Sequence, residues 1–175
     1  MIHSLILRPE LPDDFEQIDR LIRVSFECSS VGYHNEAELV RALRNLGDLK
    51  LSVVAEVDDQ IVGHIAFSPV KFSMDDQFNG HESWFCLAPL AVLPAFQGKM
   101  IGQHLVQSGM AGLQKIQASG VIVLGDANYY QRFGFKHIPA CTLNQAESEH
   151  LLGYSFNARA LKGDIILSKG FNVCQ

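Results

Sequence analysis

The stretch that decides the fold is Leu90-Ala91-Val92-Leu93-Pro94-Ala95-Phe96-Gln97-Gly98-Lys99-Met100-Ile101-Gly102. The residues before Pro94 are continuously apolar, which is typical of a strand buried on both faces. From Ile101 onward the apolar positions recur at helical spacing, at Leu105, Leu113 and Ile116. A strand, a short turn and a long helix are therefore predicted, with the helix beginning near Gly98 and ending near Ser119-Gly120.

The turn between this strand and this helix is a candidate anion site. A helix start leaves backbone N–H groups without partners and carries about half a positive charge, although most such starts bind only water or a capping side chain. Two known phosphate loops do not match. A P-loop needs Ser or Thr after Gly-Lys, and Met100 stands there, while the dinucleotide-binding fingerprint needs a third glycine and a downstream acid.

Composition favours an ordinary globular protein. The 175 residues fit a single domain, residues 1–175, long enough to bury roughly 70% of the unfolded surface. Hydrophobic residues make up 47% and charged residues 19% of the chain. Since no apolar run approaches ~20 residues and the N-terminus does not resemble a secretory signal, we expect a cytoplasmic protein that does not interact with membranes. The net charge of −5 argues against a nucleic-acid partner and is compatible with amine substrates.

The cysteines and histidines do not form a recognisable metal pattern. The four cysteines are widely separated, without a C-x-x-C pair, and the histidines show no H-E-x-x-H pair. We therefore expect reduced, mostly buried thiols and no metal; the cysteines are Cys28, Cys86, Cys141 and Cys174.

The rest of the chain predicts a mixed α/β domain with a central, partly antiparallel sheet. Strands are predicted at Leu5 to Arg8, Leu51 to Val57, Ile61 to Phe72, Ser83 to Val92, Val121 to Leu124, Lys136 to Ile138, Leu151 to Phe156 and Gly163 to Leu167. Turns are predicted at Asp58-Asp59-Gln60 and Asn79-Gly80. Besides the long helix, one helix carries Phe15 to Ser25, a second starts at an Asn35 cap with Glu38 in capping-box spacing, and a short one covers Asn128 to Arg132.

A second segment links the chain to a known family. Leu124-Gly125-Asp126-Ala127-Asn128-Tyr129-Tyr130-Gln131-Arg132-Phe133-Gly134-Phe135 places Tyr130 four residues before a Gly-Phe pair. In the first segment, Gln97, Met100 and Gly102 fall on a Gln/Arg-x-x-Gly-x-Gly/Ala pattern. Together the two segments resemble the GCN5-related N-acetyltransferases (GNAT superfamily), and most closely the YhbS-like branch of predicted N-acetyltransferases.

The resemblance implies a fold and a donor site. The GNAT fold has a mixed, largely antiparallel twisted sheet flanked by helices, whose splayed central strands form the acetyl-CoA site. Acetyl-CoA would be the acyl-donor cosubstrate, its pyrophosphate held by backbone N–H groups and its pantetheine arm paired with the strand before the turn. The implied cofactor-binding residues are Leu90, Ala91, Val92, Gln97, Gly98, Lys99, Met100, Ile101, Gly102 and Gln103.

The resemblance also implies direct transfer of the acetyl group to a primary amine of a small molecule or peptide through a ternary complex. Tyr130 would be the catalytic acid that donates a proton to the departing CoA thiolate. Without the motif, Tyr130 would be read as a core aromatic, and Tyr129 as packing. The general base is left open between a water chain, Glu82, Asp126 and His64, and a homodimer is left open as well.

Two further points are open. Lys99 either neutralises a CoA phosphate or is a surface lysine. Met100 stands where the family has glycine, and it is compatible with phosphate binding only if its φ is negative, as in the first turn of a helix.

The alternative function is a non-catalytic or degenerate GNAT-fold module that binds acyl-CoA or another ligand. The acceptor pocket is expected near Phe26, Tyr33, His34 and Glu36 and in the region after Pro139.

Overall fold

The sheet is organised around one long hairpin. The computed structural model describes residues 4–27, 35–73 and 83–174. Within it, β2 (Leu51–Val57) pairs antiparallel with β3 (Gln60–Phe72) through a tight turn in which Asp58 and Asp59 both have positive φ, 49° and 62°. Aspartate tolerates this left-handed conformation better than most residues. The hairpin predicted from the Asp58-Asp59-Gln60 segment is therefore confirmed.

The other strands extend this hairpin on both sides. They are β1 (Leu5–Pro9), β4 (Trp84–Val92), β5 (Gly120–Leu124), β6 (Lys136–His137), β7 (Cys141–Leu143), β8 (Leu151–Ser155) and β9 (Gly163–Ile166). The order across the sheet is β1-β2-β3-β4-β5-β8-β6, and β9 joins the end of β3 to β7. Among the pairs in the described residues, β4 with β5 and β7 with β9 are parallel and the rest are antiparallel. The predicted mixed, largely antiparallel sheet is confirmed.

Helices cover both faces of this sheet. The helices are α1 (Phe15–Glu27), α2 (Glu36–Asn45), α3 (Ile101–Lys115) and the short α4 (Ala127–Tyr130). Helix α3 buries Leu105 and Leu113 against one face, together with Ile65 and Phe67 of β3. The helices α1 and α2 cover part of the opposite face, where a separate apolar cluster forms. A third cluster, around Trp84 and Cys86, lies beneath the C-terminal strands.

The strands β4 and β5 separate after a short parallel stretch. They pair only from Trp84 with Gly120 to Cys86 with Ile122. Beyond Cys86, the register of β4 with β3 shifts, since Phe67 faces Leu87 whereas Ile65 faces Leu90. The extra residue in β4 falls at Ala88-Pro89, and proline cannot donate a ladder hydrogen bond. The splay implied by the family resemblance is therefore present, and Leu87 to Val92 have no β5 partner.

The structure corrects two features of α3. The helix begins at Ile101 rather than near Gly98, because Gly98 and Met100 both take positive φ, 73° and 62°. It ends at Lys115 rather than near Ser119, because Gln117 also takes a positive φ of 59°. As a result Ile116, predicted to continue the buried face, is 57% exposed.

The predicted capping of α2 is also wrong. Asn35 precedes the helix, but its side chain makes no capping hydrogen bond. Its amide instead donates to the carbonyl of Val173 at 2.9 Å and ties the helix start to the C-terminal 3-10 turn. Glu38 accepts from Arg23 of α1 rather than closing a capping box. A tertiary partner has replaced the local one in both cases.

The strand β7 was not predicted, and the predicted Asn79-Gly80 turn lies outside the described residues. Cys86 and Cys141 are buried free thiols and Cys174 is a partly buried one, whereas Cys28 is not described. In the described parts of the chain, no helix has the length and apolar character needed to cross a bilayer.

Candidate active site

A cleft of about 400 Å³ opens where β4 ends and α3 begins. It lies between the last residues of β4, the turn after it, the first turn of α3 and the α4 segment. Eight of the ten predicted cofactor-binding residues line it: Leu90, Val92, Gln97, Gly98, Met100, Ile101, Gly102 and Gln103. Phe96, Tyr129 and Arg132 complete the lining.

The β4 wall offers unpaired backbone groups. Leu93 N–H donates to the Val62 carbonyl of β3 at 2.9 Å, and Ala91 lies opposite His64. Because successive residues of a strand point their hydrogen-bonding groups to opposite sides, Leu90 and Val92 direct theirs away from β3 and into the splay. The Val92 carbonyl accepts from the Gln97 amide, so the groups that face the splay for a ligand are those of Leu90 and the N–H of Val92. An extended ligand with amide groups can therefore pair there as an added strand. Ala91, by contrast, is 3% exposed, packs toward α1 and does not line the cleft.

The start of α3 forms the second wall. No side chain caps this helix, and its first turn contains no acidic residue. The first turns of α1 and α2 do contain glutamates, Glu16 in α1 and Glu36 and Glu38 in α2. The backbone N–H groups of Ile101, Gly102 and Gln103 and the positive end of the helix dipole consequently face the cleft without a competing carboxylate, which suits an anionic ligand.

Met100 has a left-handed backbone conformation, which favours glycine. Its φ and ψ are 62° and 7°, in the left-handed region, so the negative φ that the sequence analysis made a condition for phosphate binding is absent. The condition does not decide the site, because the N–H groups that face the cleft belong to the helix start that follows, from Ile101. The side chain is 63% exposed and stands at the edge of the cleft. The backbone turn thus keeps a glycine-like shape, at a conformational cost for a residue with a Cβ.

Two polar side chains of the turn make local contacts. The Gln97 amide donates to the Val92 carbonyl at 3.0 Å and so fastens the turn to the end of β4. Lys99 donates to the Ala95 carbonyl at 2.9 Å and lies 4.8 Å above the Phe96 ring. Lys99 therefore points back along the chain and does not line the cleft.

Tyr129, on the opposite side of the cleft, leaves little room for a side chain at Gly102. A Cβ at this position would lie 2.7 Å from the Tyr129 hydroxyl and 3.7 Å from a Val92 methyl group. Tyr129, expected only to pack, thus reaches across the cleft to the first turn of α3. Burial raises its pKa, partly offset by the charge of Arg132.

Tyr130 lies behind Tyr129 and does not line the cleft. Its side chain is 8% exposed, and its ring packs against Phe135, with centroids 5.6 Å apart. A Cβ at Gly125 would be 2.5 Å from this ring, so the glycine after β5 makes room for it. Burial raises the pKa of Tyr130, and nearby Tyr129 and Cys86 raise it further. Cys86 is the last β4 residue paired with β5, which places Tyr130 near the vertex of the splay.

The general-base candidates fall in different places. His64 is completely buried; Ser52 Oγ is 2.8 Å from its Nε2, and Glu10 lies 3.6 Å away. Asp126 caps α4 by accepting from Asn128 N–H at 2.9 Å. Neither residue lines the cleft, and Glu82 lies outside the described residues. Within the described ranges, no group of His, Cys, Asp and Glu has the arrangement of a metal site.

Part of the expected acceptor region comes together between α1 and α2. Phe26 and Glu36 line a smaller pocket of about 160 Å³ with Ile22 and Ala37. Tyr33 and His34, expected in the same region, are not described. Phe96, Tyr129 and Arg132 are the lining residues that sequence reasoning missed. For Tyr129 and Arg132, the spacing of three on a helical segment is the signal that would have placed them side by side.

The comparisons with known proteins agree with this geometry. A family model described as an acetyltransferase (GNAT) domain matches residues 48–137. The chain is 38% identical over 133 residues to the uncharacterized N-acetyltransferase YhbS of Escherichia coli K12, an alignment covering 75% of this chain and 74% of that protein.

Solved structures give the same relationship over nearly the whole chain. A GNAT family acetyltransferase from Brucella melitensis, solved with acetyl-CoA, has a TM-score of 0.81 and 36% identity, covering 97% of this chain and 99% of that one. YhbS from Escherichia coli, solved with CoA, has a TM-score of 0.81 and 31% identity, covering 96% and 92%.

Proposed function

The chain belongs to the GNAT family of acetyltransferases, and from that premise we propose that it binds acetyl-CoA in the β4–α3 cleft and transfers the acetyl group directly to a primary amine. The acceptor class is a small molecule or a peptide. The observation that carries the proposal is the meeting of an unpaired strand edge, Leu87 to Val92, with an uncapped helix N-terminus in one cleft. The two structural relatives were solved in complex with acetyl-CoA and with CoA.

The cleft fits the two chemical parts of such a donor. The N–H and carbonyl of Leu90 and the N–H of Val92 match the amides of a pantetheine arm, whereas the Val92 carbonyl is bound by Gln97. The turn and first helical turn, from Gly98 to Gln103, match a pyrophosphate, because their N–H groups and the helix dipole face it. Gly102 leaves space that a Cβ would fill. These backbone groups bind the donor without help from a metal ion in this proposal.

The chemistry proposed is a single transfer in a ternary complex. The amine nitrogen bonds to the acetyl carbon and loses one proton, the carbon–sulfur bond breaks, and the thiolate takes one proton, so that the products are the N-acetylated amine and CoA. An N–H of the β4 edge would polarise the acetyl carbonyl. Tyr130 would donate the proton to the sulfur, supported by the motif spacing and by its place near the splay vertex. A tyrosine hydroxyl is protonated at neutral pH with or without the rise in pKa that burial causes.

The experiment is a transfer assay. The purified protein is incubated with acetyl-CoA and a panel of primary amines and peptides, while free thiol is measured and products are weighed by mass spectrometry. The proposal predicts amine-dependent CoA release and a product that is heavier by one acetyl group. Tight acetyl-CoA binding without release across a broad panel supports the non-catalytic module instead.

A further inference from the structure

The proposed donor carries several negative phosphate charges, and among the described residues one cationic side chain, Arg132, faces its site. Of the described residues that line the cleft, Arg132 alone has a formal charge, and none is acidic. Arg132 is exposed at the cleft mouth, across from the first turn of α3. The local potential is therefore positive even though the whole chain carries a net charge of −5.

Arg132 differs from the arginines that have a structural role. Arg8, Arg23 and Arg44 each bind carboxylates of neighbouring elements. Arg20 and Arg41 are paired with Glu16 and Asp19. In the described part of the chain, no carboxylate forms an ion pair with Arg132. Its five N–H donors are thus available to an anionic ligand.

The ring of Tyr129 fixes the position of the Arg132 guanidinium. The guanidinium carbon of Arg132 is 4.8 Å from the centroid of the Tyr129 ring. That ring is itself packed edge-on against Phe133, with centroids 5.6 Å apart, and its hydroxyl touches the first turn of α3 at Gly102. A guanidinium stacked on a ring keeps its edge free for bidentate contacts with phosphate oxygens.

Building on the proposed function, we propose that Arg132, held on the Tyr129 ring, binds a phosphate group of CoA, which is one of the two roles that the sequence left open for Lys99. The side chain of Lys99 is held by the Ala95 carbonyl and the Phe96 ring and does not line the cleft. The donor site then has two walls, a backbone wall from β4 and α3 and a side-chain wall from the α4 segment.

The test measures CoA affinity by isothermal titration calorimetry, which does not need activity. Arg132→Gln removes the guanidinium N–H donors and the positive charge. It is expected to weaken CoA binding about tenfold, as for an exposed charged hydrogen bond. The residue is exposed, so folding should be intact, and an unchanged melting temperature without ligand checks this. Lys99→Gln removes an equal charge beside the same turn and is expected to weaken CoA binding less than threefold.

The donor itself distinguishes the two phosphate sources. If Arg132 holds the 3′-phosphate, Arg132→Gln weakens CoA binding but leaves the affinity for 3′-dephospho-CoA unchanged. If it holds the pyrophosphate, both ligands lose affinity equally. The inference is overturned if Arg132→Gln binds CoA as the wild type does, or if Lys99→Gln loses as much. Failure of the wild type to bind CoA at all contradicts the proposed function instead, so the two failures are distinguishable.

Discussion

Tyr129 and Tyr130 are neighbours whose ring centroids lie 5.1 Å apart, yet they face different surroundings. Tyr129 lies in the cleft and Tyr130 behind it, near Cys86 and the splay vertex. The motif spacing marked Tyr130 but said nothing about Tyr129. Which of two adjacent aromatics reaches the cleft depends on the direction of the α4 segment, and that direction is set by tertiary contacts that the local sequence does not encode.

The two tyrosines therefore form a matched pair for mutation. Tyr130→Phe is expected to lower kcat about 10²-fold, because the departing thiolate loses its proton donor, while CoA affinity stays within a factor of two. Tyr129→Phe keeps the aromatic ring on which Arg132 lies and should retain kcat within a factor of a few. Steady-state kinetics with a substrate amine and CoA titration measure both effects. Equal kcat values for Tyr130→Phe and the wild type would remove Tyr130 from its proposed role.

Met100 is a second residue with a testable cost. A left-handed conformation costs a non-glycine residue about 1–2 kcal/mol, and the side chain is 63% exposed, so little burial is lost on its removal. Met100→Gly relieves this strain, but glycine loses more backbone entropy on folding. The net result should be a free energy of unfolding that is higher by up to about 1 kcal/mol. Met100→Ala keeps the strain and should bring no such gain. Urea denaturation compares the three proteins, and a clear loss in Met100→Gly contradicts the assigned backbone strain.

At the scale of elements, α3 decides both core and site. Its start supplies the cleft, and its glycines let it approach β3 closely. A Cβ at Gly109 would be 2.3 Å and 2.5 Å from ring atoms of Phe67, which is completely buried. One turn on, a Cβ at Gly112 would be 2.9 Å from the end of the Leu51 side chain, which is only partly buried and able to move.

Alanine at these two positions should therefore have opposite effects. Gly109→Ala overpacks the core and is expected to destabilise the protein by about 1–3 kcal/mol, despite the better helix propensity of alanine. Gly112→Ala should be neutral or stabilise by up to about 1 kcal/mol. Chemical denaturation measures both. If Gly109→Ala proves as stable as Gly112→Ala, the close packing of α3 on β3 is wrong.

The buried face of α3 was predictable from the sequence, whereas its first residue was not. Its buried positions Leu105 and Leu113 follow from helical spacing, as do the hairpin strands from their alternating and apolar patterns. Its first residue does not follow, because a left-handed methionine is not expected from local preference. The predicted cap at Asn35 failed for a related reason, since a contact with Val173, distant in sequence, took its amide.

At the scale of the whole molecule, a buried polar network joins the first strand, α2 and the central hairpin. Glu10 accepts hydrogen bonds from Arg44 at 3.0 and 3.1 Å and from Ser52 at 2.6 Å. Burial alone would raise the pKa of Glu10, but hydrogen bonds from His64, Arg44 and Ser52 outweigh it and lower the pKa to about 2. Burial lowers the pKa of His64, with partial compensation by Glu10.

These shifts make the fold sensitive to acid. Both groups bind protons less readily when folded than when unfolded, so stability is full above the unfolded pKa values and falls as the pH drops below them. The His64 contribution should decline from about pH 6.5 downward, by at most about 1.4 kcal/mol per pH unit. The Glu10 contribution should decline from about pH 4.5 toward pH 2. Unfolding followed between pH 8 and 5 should show a shallower slope for His64→Gln, and an unchanged slope contradicts a neutral buried His64.

How much of the site was predictable differs between its walls. The backbone wall followed from the strand-turn-helix pattern and the family motif, and eight of its ten predicted residues line the cleft. The side-chain wall of Tyr129 and Arg132 did not, because α4 is placed by packing across the sheet. Ala91 and Lys99 were predicted to bind on sequence adjacency, but strand alternation and a contact with Ala95 turn them away.

Donor binding in the β4–α3 cleft is the central claim, and thermal unfolding with acetyl-CoA tests it most directly. At a ligand concentration one hundred times Kd, the wild type should gain about 2.7 kcal/mol of stability. Gly102→Val, whose side chain would fill the space between Tyr129 and Val92, should fold and lose most of this gain. No stabilisation of the wild type at millimolar acetyl-CoA, or equal stabilisation of Gly102→Val, would contradict it.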